Sequence, residues 1–314
     1  MRVIRGQHNV DALARPSVVT IGNFDGVHRG HLALIACARE HAQRLQLPLT
    51  VLTFEPTPRE FFAPEQAPAR VNVLRSKLAD LAEAGVDQVV LQRFDARFAA
   101  YGADAFVEAL LCRDLGARAV IVGDDFRYGQ GRAGDFHRLQ AGGAARGFAV
   151  DTIGTVQLGA ERCSSTALRR ALAAADLPTV ENLLGRPFRV LGRVRGGLRL
   201  GRTLGMPTAN LPLKRPLALR QGVYAVTLHR GGEALPAVAN LGVRPTLGGT
   251  PSLLEAHCLV PPGDLYGQCV SVQFHHFLRP ELRFDSLEAL KAQMHRDRDA
   301  AQAWLDQAGL GALR

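Results

Sequence analysis

Two histidines three residues apart, His28 and His31, close a glycine-spaced turn: Gly22-Asn23-Phe24-Asp25-Gly26-Val27-His28-Arg29-Gly30-His31. The apolar run 17–21 before it reads as a buried strand, and 32–45 after it as a helix rich in Ala and Leu. A turn that opens a helix gathers free backbone N–H groups and the positive end of the helix dipole, a ready seat for phosphate. Imidazoles at i and i+3 share one face of the first helical turn, so both can address the same phosphate. Neither the dinucleotide fingerprint nor the P-loop spacing fits this stretch.

A second phosphate clamp is spelled by Arg162-Cys163-Ser164-Ser165-Thr166-Ala167-Leu168-Arg169-Arg170, which opens another helix. Three successive hydroxyls stand at its start, and the bidentate guanidinium of Arg169 suits pyrophosphate oxygens. Taken alone, the serines could equally be helix caps. In Thr53-Phe54-Glu55-Pro56-Thr57-Pro58-Arg59-Glu60-Phe61-Phe62 rigid prolines and paired aromatics offer a surface on which a planar ring could stack. Two stretches of the second half carry chemistry. Gly201-Arg202-Thr203-Leu204-Gly205-Met206-Pro207-Thr208-Ala209-Asn210-Leu211 sets Thr208 and Asn210 two apart, so on extended backbone their oxygens face one way and can help hold Mg²⁺. Leu253-Leu254-Glu255-Ala256-His257-Cys258-Leu259 puts one carboxylate into an apolar strand, where burial makes it a candidate general base or one half of an ion pair.

The elements that must position these groups fall into two patterns. Strand signals at 49–54, 88–91, 119–122 and 148–151 alternate with helical stretches at 73–84, 103–115 and 136–146. That alternation predicts a Rossmann-like parallel sheet whose ligands lie beyond the carboxyl ends of the strands. Residues 22–31, 53–56 and 123–129, the last carrying Asp125, all follow such ends. From Leu183-Leu184-Gly185-Arg186-Pro187 onward, short alternating runs at 188–194, 222–228, 235–240, 253–259 and 269–274 are divided by Gly/Pro turns, as in a small antiparallel β-barrel. A last helix from Ser286 to about Gln307 is expected to pack through Leu287, Leu290, Met294 and Trp304. The reading predicts domains of 1–184 and 185–314.

Composition narrows the classes. A chain of 314 residues, 47% hydrophobic, is long enough for two cores. It has neither an apolar run of membrane-spanning length nor a signal-peptide core after Met1-Arg2-Val3-Ile4-Arg5. Five scattered cysteines, never in a Cys-x-x-Cys pair, argue against a zinc site or a disulfide framework and suit the cytoplasm. Net charge is +9, carried by the second half: residues 1–184 hold 21 Lys and Arg against 20 Asp and Glu, residues 185–314 hold 17 against 9. Such a field attracts polyanions, either nucleic acid or a nucleoside triphosphate. Aromatics at 6% and the lack of an RNA-binding motif speak against nucleic acid.

The Gly22–His31 turn resembles the His-x-Gly-His element of nucleotidyltransferases, whose acceptors include pantetheine phosphate and nicotinate mononucleotide as well as flavin. Those other acceptors leave the Pro207–Asn210 barrel unexplained. With Gly123–Gly129, Ser164–Arg169, Asn240-Leu241-Gly242-Val243-Arg244-Pro245-Thr246, Leu265-Tyr266-Gly267 and Phe277-Leu278-Arg279, the whole chain resembles the prokaryotic bifunctional riboflavin kinase/FAD synthetases. The resemblance implies an N-terminal domain that adenylates FMN to FAD with ATP, and a C-terminal domain that phosphorylates riboflavin to FMN with ATP and Mg²⁺. It implies ATP contacts for adenylation at Gly22, Phe24, Asp25, Gly26, His28, Gly30, His31, Asp125, Ser164, Ser165, Thr166 and Arg169, with His28, His31 and Arg169 catalytic. Pro56, Pro58 and Phe62 would border the flavin. Arg202, Gly205, Pro207, Thr208 and Asn210 would bind ATP for the kinase, Thr208 and Asn210 at the metal, and Glu255 would be the base. Members commonly carry His between the two prolines, where this chain has Thr57. No membrane or nucleic-acid partner is implied, and the sequence leaves the oligomeric state open.

Overall fold

The computed structural model describes residues 1–11, 14–159, 161–196, 206–243 and 252–312. Two compact units emerge, one of residues 1–68 and 77–164, the other of 69–76 and 165–314.

In the first unit, β1 (Arg2–Arg5), β2 (Ser17–Ile21), β3 (Leu49–Phe54), β4 (Gln88–Gln92), β5 (Ala117–Gly123) and β6 (Ala149–Ile153) pair parallel throughout, in the order β1-β4-β3-β2-β5-β6. Every residue of β2 and β3 is buried, which is why they read as unbroken apolar runs rather than alternating ones. Leu34, Ile35 and Ala38 of the helix Arg29–Leu45 cover one face of the sheet, and Phe106, Leu110, Leu139 and Phe148 belong to the core on the other. From β2 the chain steps outward to β3 and β4 on one side, then returns to β5 and β6 on the other. The carboxyl ends of β2 and β5 therefore border the switch point where such sheets take their ligands. This is the expected Rossmann-like layer.

Three local features differ from the sequence reading. Strand β1 escaped it because only Ile4 of its four residues is buried, too little for a pattern. The helix after the glycine turn starts at Arg29, three residues early, because His28 caps it. The helix expected at 103–115 runs as Ala103–Ala105 and then as a π-helical Phe106–Asp114, closed by Leu115 N–H donating to Leu110 O at 2.9 Å.

After a short hairpin, β7 (Gln157–Leu158) and β8 (Glu161–Arg162), come the helices Ser165–Ala174 and Leu177–Leu184 of the second unit. Its barrel comprises β9 (Arg189–Arg193), β10 (Ala209–Leu213), β11 (Gly222–Arg230), β12 (Glu233–Val243), β13 (Ser252–Cys258) and β14 (Cys269–Arg279). They pair antiparallel in the order β10-β13-β12-β11-β14-β9. Arg195 N–H donates to Asn210 O at 2.9 Å, drawing the two edge strands together into a nearly closed barrel. Tyr224, Val226, Leu228, Leu211, Leu254 and Phe274 are buried on one face of the strands. On the opposite face, Val223, Ala225 and Val238 are covered by Ala301 and Leu305 of the final helix Leu287–Gln307. Strand β10 was hidden from sequence reading by Pro207 and Pro212, which punctuate it like a loop.

Ser286 caps the final helix as expected, its hydroxyl accepting from Ala289 N–H at 3.1 Å. Its contacts differ from the expected set. The buried positions are Asp297, Ala301 and Leu305, four apart, so the C-terminal half meets the barrel while Leu287 is exposed and Leu290 and Met294 are half-buried. Trp304 stacks on His276 with ring centroids 5.2 Å apart. Arg279 of β14 grips Asp297 with two hydrogen bonds, and Gln293 donates to the same carboxylate at 2.8 Å. Since Asp297 is buried, truncating it strands a guanidinium. Asp297→Ala is expected to cost about 2–4 kcal/mol of second-unit stability, read as a lowered urea midpoint with an unchanged slope.

Candidate active sites

In the first unit the glycine turn is wound tightly. Gly26 has φ +98°, and Phe24 and Val27, which are not glycines, have φ +48° and +43°. Left-handed backbone at a β-branched residue costs on the order of 1–3 kcal/mol and persists only where surroundings enforce it. Here the enforcement is burial: the side chains of Phe24 and Val27 are wholly enclosed in the core beside Leu34 and Ile35. Phe24 therefore has only its backbone to offer a ligand. The Asn23 carbonyl accepts from the buried Lys77 ammonium at 2.7 Å and from Thr53 Oγ1 at 3.2 Å, tying the turn to the helix Leu74–Glu83 and to β3.

His28 is the N-cap of the helix Arg29–Leu45: its Nδ1 accepts from His31 N–H at 3.3 Å. In the neutral ring that bond leaves the proton on Nε2. The rings of His28 and His31 stack 3.7 Å apart at 20°. Burial, with the nearby Arg162 adding to it, lowers His28 from 6.5 to about 4. Burial lowers His31 as well, helped by His28 and Lys77. Both imidazoles are thus neutral near pH 7 and act as N–H donors rather than as cations. His31 Nδ1 is buried without a hydrogen-bond partner among the described residues, a polar atom that a ligand oxygen would satisfy.

The chain leading into the helix Ser165–Ala174 lies against this pair. Cys163 Sγ is 3.8 Å from His28 Nδ1, and a Cβ at Gly30 would sit 3.2 Å from Cys163 O and 3.1 Å from the His28 ring. Glycine at position 30 is what lets helix start and Cys163 approach. Ser164 and Ser165 are half-buried at that helix start and Thr166 is exposed. Arg169 Nε donates to Ala69 O at 2.8 Å, so part of this guanidinium is spent on its own unit. Asp125, exposed, pairs with Arg162 at 2.9 Å, and Asp124 accepts from Thr155. Arg162, Cys163 and Lys77 were not singled out as site residues. Their signal lies in burial and pairing, which sequence does not display.

Within the Pro56–Phe62 segment, Pro58–Phe62 form a helix capped by Thr57. Thr57 Oγ1 accepts from Glu60 N–H at 3.4 Å, and Glu60 Oε2 accepts from Thr57 N–H at 2.8 Å, a reciprocal capping box. Thr57 is therefore more than a weaker histidine: it stabilises the helix that presents Phe62. That ring is 67% exposed, edge-on to Phe61 and Phe94, while Pro56 and Pro58 are half-buried beside it.

In the second unit, register assembles the site. Asn210 of β10 stands opposite Glu255 of β13, which stands opposite Asn240 of β12. Residues directly opposite in an antiparallel ladder share a face, so the three polar side chains form one row. Glu255 is half-buried, with Leu253 and His257, on the face opposite the enclosed Leu254 and Ala256. The expectation of a carboxylate enclosed in the core is corrected: strand alternation turns it outward. Asn210 is buried, its Nδ2 donates to Thr208 O at 3.2 Å, and its Oδ1 has no partner among the described residues. A hard, orphaned oxygen beside a carboxylate and a threonine fits a magnesium-bound polyphosphate. His257 Nδ1 lies 2.8 Å from Pro207 O, holding the exposed Pro207 end of this strand. Asn240 Nδ2 donates to Glu281 at 3.4 Å, adding a second carboxylate that sequence reading left unassigned. Arg202 and Gly205, with the rest of 197–205, and the 244–251 stretch lie outside the described residues.

Comparisons with known proteins bear on both sites. Residues 10–167 match the family described as FAD synthetase, and residues 184–305 the family described as riboflavin kinase. Proteins named bifunctional riboflavin kinase/FMN adenylyltransferase align along almost the whole chain. That of Escherichia coli K12 is 50% identical over 299 residues, covering 95% of this chain and 96% of its own. That of Pseudomonas fluorescens is 49% identical over 304 residues, covering 96% and 97%. A solved Streptococcus pneumoniae chain described as a macrolide-efflux protein shares the fold at TM-score 0.78 and 27% identity, covering 97% of this chain and 100% of that one. No described helix here is long and apolar enough to cross a membrane.

The buried, neutral His28 makes stability fall with acid. Its folded value of about 4 lies below the 6.5 of the unfolded chain, so the unfolded state takes up the proton first as pH drops. Stability is full above about pH 6.5 and about 2–3 kcal/mol of it is lost by pH 4.5 on account of this ring. His28→Asn keeps an N-cap acceptor. Urea denaturation at pH 7 and pH 4.5 should give the variant a smaller acid loss by that amount.

Proposed function

The chain belongs to the family of bifunctional riboflavin kinase/FMN adenylyltransferases, and from that premise we propose which of its residues carry each reaction. The protein phosphorylates riboflavin with ATP to give FMN, and adenylates FMN with a second ATP to give FAD and pyrophosphate. The division of labour rests above all on one observation: the stacked His28 and His31 belong to one unit, and the Asn210–Glu255 pair to the other. For catalysis we place the functional boundary at 184/185, a reading supported by the two family matches ending at 167 and starting at 184.

For adenylation, an FMN phosphate oxygen attacks the α-phosphorus of ATP and pyrophosphate leaves. His28 Nε2–H and His31 donate to the non-bridging oxygens as charge builds there, and because the rings are neutral they strengthen with the transition state. The turn at Gly22, Asp25, Gly26 and Gly30, at the positive end of the helix Arg29–Leu45, borders the phosphates, and the start of Ser164–Thr166 with Arg169 takes the pyrophosphate. Asp125 holds Arg162 near that helix start. Phe62 stacks on the isoalloxazine ring, flanked by Pro56 and Pro58, and the Thr57 hydroxyl remains able to donate to the FMN phosphate while its oxygen caps the helix.

For phosphorylation, Glu255 receives the proton of the riboflavin 5′-hydroxyl as that oxygen attacks the γ-phosphorus and ADP leaves. Being half-buried and beside Asn210, Glu255 stays accessible to substrate. Thr208 and Asn210 would hold Mg²⁺, which when bound neutralises charge on the triphosphate. Arg202, Gly205 and Pro207 would complete the ATP contacts. ATP and free thiols point to the cytoplasm as the working compartment.

Two outcomes test the assignment. Glu255→Gln is expected to lose riboflavin phosphorylation by about a hundredfold or more, with adenylation of added FMN retained. His28→Asn should lose adenylation by about 10²–10³ with phosphorylation intact, both read by separating riboflavin, FMN and FAD chromatographically. Equal loss of both activities in either folded variant rejects the division. Phe62→Ala should raise the KM for FMN about three- to tenfold, while the unfolding free energy from urea denaturation stays within about 0.5 kcal/mol of the wild type because the ring is exposed.

A further inference from the structure

Cys37 and His41 lie one turn apart on the helix Arg29–Leu45, and Asp151 faces them from β6. One donor atom from each, a thiol sulfur, an imidazole nitrogen and a carboxylate oxygen, lies within 4.8 Å of the other two. His41 Nε2 is 3.1 Å from Asp151 Oδ2. Neither proposed reaction uses any of these groups. We propose that Cys37, His41 and Asp151 form a binding site for a borderline-soft divalent transition metal of the zinc class, with water as fourth ligand.

Chemistry and geometry both favour that class. Mixed sulfur, nitrogen and oxygen donors are what zinc takes, whereas hard magnesium and calcium avoid thiolates. Tetrahedral bonds of about 2.0–2.3 Å set ligand atoms roughly 3.3–3.8 Å apart. Closing from 4.8 Å or less to that spacing is a shift of about 1–1.5 Å, the scale of a side-chain rotation. The i, i+4 spacing puts two ligands on one helical face beforehand. Burial, with Asp151 and Glu40 beside it, raises the Cys37 thiol, and the two carboxylates add negative potential at the site. Binding thus releases the thiol proton to solvent.

One neighbour opposes binding. Arg44 Nη2 donates to His41 Nδ1 at 2.9 Å, which assigns the ring proton to Nε2 and lets Nε2–H donate to Asp151. Metal binding moves that proton to Nδ1 and frees Arg44, an exposed side chain in the last helical turn. The sequence pattern argued against zinc because no cysteine pair exists; the ligands here are gathered by a helix turn and a distant strand instead. The metal would clamp β6, at the sheet edge, to the helix that begins at the His28 cap.

Cobalt(II) is the probe, titrated into the full-length, reduced protein. One equivalent should give a thiolate-to-cobalt charge-transfer band in the near ultraviolet and visible d–d bands, both removed by competing zinc. Cys37→Ser should abolish the near-ultraviolet band, and His41→Ala should weaken binding about tenfold or more. Arg44→Ala should tighten it about three- to tenfold, the worth of one displaced hydrogen bond. Absence of the band in the wild type, or its survival undiminished in Cys37→Ser, overturns the proposal.

Discussion

The hydrogen bond from His31 N–H to His28 Nδ1 is the interaction on which the histidine turn of the first unit depends. One bond performs three tasks. It caps the helix, it assigns the His28 proton to Nε2, and it sets the two rings face to face. An imidazole that caps by accepting through Nδ1 cannot be a cation, and burial keeps it neutral by depressing both histidines. The price is paid in backbone strain at Phe24 and Val27, which the sheet and helix core hold in place. The electrostatics of the turn are thus set by desolvation, with dipoles and neutral donors oriented by the fold itself.

The barrel solves a different problem. Its polar row lies on the face opposite the enclosed core, where Glu255 and Asn240 are half-buried. That face is shared: Val223, opposite Asn240, lies under the final helix, while Asn240, Glu255 and Asn210 lead away from the apolar patch. The Arg279–Asp297 grip holds the helix to one side of the row. In this way a single strand face carries both apolar packing and a polar row, divided by where the helix stops covering it.

Much of this was legible beforehand. The runs of β2 and β3 are apolar because both faces are buried, and such runs survive in any reading of hydropathy. The glycine turn, the Ser164–Arg169 helix start and the Ser286 cap are local signals, each contained within one helical turn, and each was found where expected. What failed was non-local. Strand β1 exists because β4 offers an edge, β10 because β13 pairs with it across Pro212, and Leu287 is exposed because only the far half of its helix meets the barrel.

By itself the sequence determined the two architectures and the residue types gathered at each candidate site, because periodicity, glycine spacing and capping act over a few residues. Tertiary structure alone decided two things: that Glu255 faces outward beside Asn210 and Asn240, and that Cys37 and His41 meet Asp151. Strand register and desolvation made those decisions. Both depend on which distant segments come together, and no window of neighbouring residues contains that information.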